Sequence, residues 1–366
     1  NRTYDRLGRM PTSNIQYNDK DFATNGTVLD STYSVKSIIA SSDYNTLGQL
    51  LGMTRISMDG DKTTTETDIA PRRYDDKGRL LYSFTETHEY GEVAGGNTLD
   101  HTYTAETFMR SYNDLGQNLK MDRITVDGGR KTEENDQVNR TYDLKGRLTY
   151  SFVTYLETDI ATNGATLNKD YTVETTILSS DYNNLGQLLG MTRVTHDLDK
   201  VTTETDNAPR EYLLSGKLKS TDTTYHETYA SGTSYNLNSS YSVKSVMDED
   251  SYNAIGQIVR QTRITLQGSK VTTETDLENK VFDSLGRTIT SKVQITETGS
   301  GTQGALNNSY ILESNILEYN ELSQTIQSEK TITNGNKITF DRDLEDKTYD
   351  VRGRLLTSYS ETTETD

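Results

Sequence analysis

Cysteine and tryptophan are absent from this 366-residue chain, and proline occurs only three times. Without thiols there is no disulfide framework and no thiolate metal site, and the redox compartment leaves no trace. Scarce proline keeps backbone donors free for long hydrogen-bonded ladders. No apolar run approaches the roughly 18 residues that a membrane-spanning helix requires. The four histidines, His88, His101, His196 and His226, occupy unlike places with no His-x-x-x-His pair or triad. They read as solvated strand or loop side chains. Basic charge is short too: the net charge of −17 argues against a nucleic-acid partner, because counterion release needs Lys and Arg clustered against phosphate.

Tyrosine, serine and threonine are plentiful: 24 Tyr, and 88 Ser or Thr, against 31% apolar residues. Such a composition without pattern would suit disorder. The pattern is strict, however. An aromatic, Asp or Asn, two residues, Gly and a long polar side chain recur along the whole chain, and Tyr, Thr, Val and Ile favour strands. One series is Tyr4-Asp5, Tyr74-Asp75, Tyr142-Asp143, a weakened Tyr212-Leu213, Phe282-Asp283 and Tyr349-Asp350, closed by Gly8, Gly78, Gly146, Gly216, Gly286 and Gly353 with Arg or Lys after each. The second is Tyr44-Asn45, Tyr112-Asn113, Tyr182-Asn183, Tyr252-Asn253 and Tyr319-Asn320, closed by Gly48, Gly116, Gly186, Gly256 and the degenerate Ser323 with Gln after each. The two alternate in a period near 70 residues, the mark of a repeat array. Expected units are 4–73, 74–141, 142–211, 212–281 and 282–348, with a partial 349–366. The chain starts and stops inside a repeat without initiator Met or signal peptide, and is expected to be a mature or trimmed segment of something longer.

Each tetrad predicts a type I turn with a bulge: Asp or Asn accepts backbone N–H groups and Gly takes the left-handed conformation. Short turns such as Asp59-Gly60 and Asp127-Gly128 supply the opposite hairpin ends. The fold class is therefore all-β, a long antiparallel hairpin array coiled as a meander, about four strands per repeat. Glycine pairs 95–96 and 128–129 lie in loops, since neither joins a strand to a helix as a phosphate cradle does.

Period-2 spacing places Arg55, Arg123, Arg193, Arg263 and Lys330 in one column, opposite Glu66, Glu134, Glu204, Glu274 and Asp341. These charges are read as a register lock of cross-strand pairs. A second acidic column, Asp68, Asp136, Asp206, Asp276 and Asp343, follows two residues on, and Arg72, Arg140, Arg210, Lys280 and Lys347 precede each Asp-series aromatic by two. Alternating carboxylates at Glu66 and Asp68, Glu204 and Asp206, and Glu274 and Asp276 are calcium candidates, although the basic columns offer a simpler neutraliser. The spacing between units varies in the longer half of each repeat, where loops such as Asn25-Gly26-Thr27, Gly95-Gly96-Asn97 and Gly164-Ala165-Thr166 are expected to absorb it and to carry partner contacts. Glycosylation sequons at Asn1, Asn25, Asn139, Asn238 and Asn307 are no more than this composition yields by chance.

The runs Tyr-Asp-x-x-Gly-Arg-Leu at Tyr74, Tyr142 and Tyr349 resemble the YD repeats of the RHS family, which includes bacterial toxin shells and teneurins. The resemblance covers nearly the whole chain as scattered motifs, and the Asn-x-x-Gly-Gln half departs from it. It implies a hairpin sheet coiled into a spiral or tube, on a secreted or surface protein. No core terminus with an autoproteolytic site and no toxin segment is found. The sequence shows no catalytic constellation and no cofactor motif. The expected function is a structural extracellular or surface fibre, continued head to tail by pairing of exposed strand edges. The rivals are a glycan-binding adhesin module, which needs aromatics clustered at loop tips, and a piece of a toxin-enclosing shell.

Overall fold

The computed structural model describes residues 1–20, 29–93, 97–229, 237–301 and 304–366. Loop residues 21–28 and 94–96, with the Asn25 sequon, lie outside the described residues. The β-favouring segments form 27 strands, and no α-helix occurs among the described residues. Twenty-five strands belong to one antiparallel sheet, each pairing with its neighbours in sequence, from Arg2–Thr3 on Thr12–Lys20 to Lys337–Asp343 on Ser360–Thr365. In the first unit the return strand Lys62–Tyr74 runs on through register shifts after Asp68. Its counterparts break at the same place and resume as two-residue ends, for example Arg130–Asp136 and then Thr141–Tyr142. Joined, these give the expected four strands per repeat.

The variable spacing does not lie in the loops. From tetrad aromatic to loop leucine the chain has 25 residues at Tyr4–Leu29, Tyr74–Leu99, Tyr142–Leu167 and Tyr212–Leu237, and 24 at Phe282–Leu306. The longer units instead carry a 3-10 turn just before the Asn tetrad, at Ser41–Asp43, Ser179–Asp181 and Glu249–Ser251. In the first two, the Asp carboxylate accepts the Ala40 or Leu178 N–H and pins the turn. The shorter units run straight through, as in Asn97–Tyr112. The residues that close three of these loops, Asp30, Asp100 and Asn168, are held by backbone contacts with the next coil.

Hydrogen bonds far apart in sequence reveal that the sheet coils on itself. Backbone N–H groups of Asp30, Asp61, Asp100, Gly129 and Asn168 donate to the carbonyls of Leu214, Ala254, Ser284, Glu321 and Val351, separations of 184, 193, 184, 192 and 183 positions. With interrupted strands counted once, eleven strands separate each pair. The loop edge of the first coil thus meets the tetrad edge of the second, with strands running along the tube. At about 4.8 Å per strand the girth is roughly 50 Å before tilt.

Burial alternates most clearly along Asp30–Ile38 and Asn238–Val246. One face carries Ser13, Val35, Val153, Val243 and Ile295, all buried, with the stacked tyrosine pairs Tyr17–Tyr33, Tyr155–Tyr171 and Tyr225–Tyr241 at ring separations of 4.9, 5.0 and 5.1 Å. The core is thin, and no described side chain is below 2% exposure. The accessible surface of 21045 Å² exceeds the about 14,700 Å² of a compact protein of this mass. Such a tube depends on its turns. Ser323 replaces the tetrad glycine and sits at φ 61, where a Cβ is strained. Ser323→Gly is expected to stabilise the protein by about 1 kcal/mol, read as a higher denaturant midpoint, whereas Gly286→Ala lowers it.

Candidate functional site: the tetrad row and the seam between coils

In each Asp tetrad one carboxylate oxygen organises the backbone and the other holds the arginine. Asp143 Oδ1 accepts the N–H groups of Lys145 and Arg147 at 2.8 and 2.9 Å, and Oδ2 accepts Arg147 Nε at 2.7 Å. Gly146 N–H bonds back to the Asp143 carbonyl at 3.0 Å. Asp75, Asp283 and Asp350 repeat this with Gly78, Gly286 and Gly353. In the Asn tetrads the oxygen does the same backbone work, and the amide donates to glutamine: Asn183 Nδ2 to Gln187 Oε1 is 2.6 Å. Asn45, Asn113 and Asn253 match, with Gly48, Gly116 and Gly256. Asp takes a donor and Asn takes an acceptor, so Asp-Arg and Asn-Gln keep to their own partners.

The tetrads are tied into a row. Each tetrad tyrosine after Tyr4 donates its hydroxyl to the carbonyl just past the preceding tetrad: Tyr44 to Met10, Tyr74 to Leu50, Tyr112 to Leu80, Tyr142 to Asn118, and so on to Tyr349 on Thr325. Phe282 is the one aromatic in this row without a hydroxyl. The Asp-series cations lie over the next tyrosine ring, Arg147 over Tyr182 at 4.5 Å and Arg287 over Tyr319 at 4.4 Å.

The seam uses this row. Each of the five backbone bonds between coils ends on the carbonyl one position past the tetrad Asp or Asn, or past its replacement Leu213. Apolar contacts back these bonds. Leu99 and Leu167, 6% and 5% exposed, lie with their methyls 3.7 and 3.9 Å from where Cβ atoms would stand on Gly286 and Gly353. Ile255 is 4% exposed and fills the space beside Gly91, where a Cβ would come within 2.4 Å of it. Arg352 clamps the coils through Asp170 at 2.9 Å and Asp197 at 2.7 Å. Asp159 stiffens its loop by accepting from Thr162, Thr166 and Leu167, the Thr162 hydroxyl foremost in holding its carboxyl below the usual range. These loop leucines went unnoticed in the sequence, although Leu followed by Asp or Asn recurs at 29, 99, 167, 237 and 306.

The register charges behave unevenly. Arg55, Arg123, Arg193, Arg263 and Lys330 all lie opposite their acidic partners. Ion pairs form at Arg55–Glu66, Arg193–Glu204 and Arg263–Glu274, at 3.2, 2.7 and 3.6 Å, and none joins Arg123 to Glu134 or Lys330 to Asp341 among the described residues. The neighbouring column is the firmer one. Asp68, Asp136, Asp206, Asp276 and Asp343 are nearly fully buried and paired with the basic residue four on. Each also accepts a backbone N–H from the facing strand, that of Met53, Met121, Met191, Gln261 or Ser328. The carboxylates read as calcium candidates are thus engaged by protein donors, and no group of three suited to a metal occurs among the described residues. His88 and His101 are bonded to Asp100 and Asp127, and His226 to Ser240, rather than simply solvated.

No family model matches the chain, and no curated protein matches it. Among solved structures, a chain of the crystal structure of TcdB2-TccC3 is similar over 97% of this chain and 28% of its own length, at 10% identity and a TM-score of 0.12. A likeness that small carries no argument, and the YD resemblance rests on the tetrads themselves.

The pairing rule is testable. Asp143→Asn sets an amide donor against Arg147 and is expected to lower the melting temperature, and adding Arg147→Gln recovers most of the loss by rebuilding an Asn tetrad. Acid works the same way. The side-chain and backbone N–H groups of Arg147 hold the Asp143 carboxyl below its ordinary 3.8, and backbone and side-chain bonds from Arg79 do so for Asp75. A carboxyl lowered on folding contributes stability above its unfolded value and loses it as pH falls through the folded value. Thermal stability should hold at pH 5 and drop below pH 3.8, less steeply in the Asp143→Asn, Arg147→Gln variant.

Proposed function

We propose that the chain is a structural repeat protein, a segment of an extracellular or surface tube that builds a fibre or stalk, with no catalytic role. The observation that carries this reading is the seam, in which five successive turns of one coil meet five successive tetrads of the next through the same backbone atoms. A side-chain constellation repeated this regularly serves geometry at every position, leaving no single place set apart for chemistry. The placing outside the cell rests on the YD resemblance. A shell reading fits less well, because a girth of roughly 50 Å corresponds to a backbone diameter of only about 17 Å. A glycan-binding reading also gains little, since tetrad tyrosines spend their hydroxyls on the backbone and exposed aromatics such as Tyr4, Tyr90 and Tyr359 are scattered.

Electron microscopy of the purified chain at micromolar concentration should show rods that join into filaments of uniform girth. Monodisperse particles one tube long at every concentration would overturn the fibre reading.

A further inference from the structure

The seam is half used. Five turns of the first coil are seated on tetrads, whereas the first-coil tetrads and the second-coil turns make no such contact among the described residues. The carbonyls of Thr46, Asp76, Asp114 and Leu144 stand where Ala254, Ser284, Glu321 and Val351 accept, yet accept no inter-coil bond among the described residues. In the Asn tetrads the apolar side chain that follows this carbonyl changes burial accordingly. Leu47 and Leu115 are 81% and 84% exposed, while Ile255 at the same tetrad position is buried beneath the first coil. Leu306 is 40% exposed, although its counterparts Leu99 and Leu167 are buried against tetrad glycines. The two rims therefore carry the two halves of a contact that the molecule already makes within itself.

We propose that a second copy of this chain stacks on the first, its first-coil tetrads seated on the second-coil turns through the geometry of the internal seam. This deepens the fibre reading and rests on it, and it places the junction on the rims instead of the strand edges. Within the seam, long loops meet Asp-series tetrads and short turns meet Asn tetrads. Keeping that alternation seats the Tyr44 tetrad of the second copy on the Asp197-Leu198-Asp199 turn of the first. Residues 345–366 of the first copy and 1–20 of the second then claim one place in the spiral, and one of these outermost segments yields it. Leu198 strengthens the case for a contact there, since a leucine 60% exposed on a turn at φ 55 occupies a position held by glycine in the other short turns.

The absence of cysteine makes the test clean. Asp61 and Ala254 are joined by a backbone hydrogen bond of 3.0 Å, so Asp61→Cys with Ala254→Cys is expected to close a disulfide within one chain. Asp199→Cys with Thr46→Cys puts thiols at the same two positions on opposite rims of the full chain. Oxidation should give a ladder of crosslinked oligomers on a non-reducing gel, and adding Leu47→Lys and Leu115→Lys should cut its yield at least tenfold. No ladder, with the internal pair closing normally, overturns the proposal. Filaments without a ladder leave the fibre reading standing on strand edges, whereas neither filaments nor a ladder removes both.

Discussion

A tyrosine hydroxyl donated to the carbonyl just past the preceding tetrad converts isolated hairpin ends into an aligned row. Each such bond contributes only about 0.5–1.5 kcal/mol net. Its importance is positional: turns tied to their neighbours at a constant height present their outward carbonyls along one line, and only a straight line of acceptors can meet a second coil at five places. The cation over the following ring adds to the tie. The turn fixes the tyrosine, the tyrosine fixes the row, and the row makes the seam.

Charge contributes in two unequal ways. The Arg–Glu pairs at Arg55 and Arg263 are substantially exposed, and surface pairs of that kind are worth about 0–1 kcal/mol. The columns headed by Asp68 and Asp136 are different, because a buried carboxylate must keep every partner it has. Each is satisfied by a cation from its own strand and an N–H from the facing one, at the point where the return strand breaks before the next tetrad. Register is therefore held mainly at these breaks.

Much of the fold was legible in the sequence because its signals are local. The turn residues, the two alternating tetrad types and the opposition of Arg193 to Glu204 follow from spacing within one hairpin. The coil was not legible, because nothing near Asp30 announces Leu214. The unit-length difference was assigned to the loops on the general habit of loops, whereas the loops keep nearly one length and a 3-10 turn absorbs the difference on the opposite edge. The buried aspartates were half seen: their spacing of four from Arg72, Arg140 and Arg210 was constant, but burial is what separates them from the exposed Glu column, and burial needs the third dimension.

Eleven strands per coil is an odd number, and oddness here is a requirement. In a meander, hairpin ends alternate between top and bottom, so an end at the top of one coil lies over an end at the bottom of the next only if an odd number of strands intervenes. An even count would set each turn against a gap between turns. Circumference in this architecture is thus quantised: adding or removing a hairpin changes it by two strands and preserves the match, while a single strand gained or lost would unzip the tube along its whole spiral.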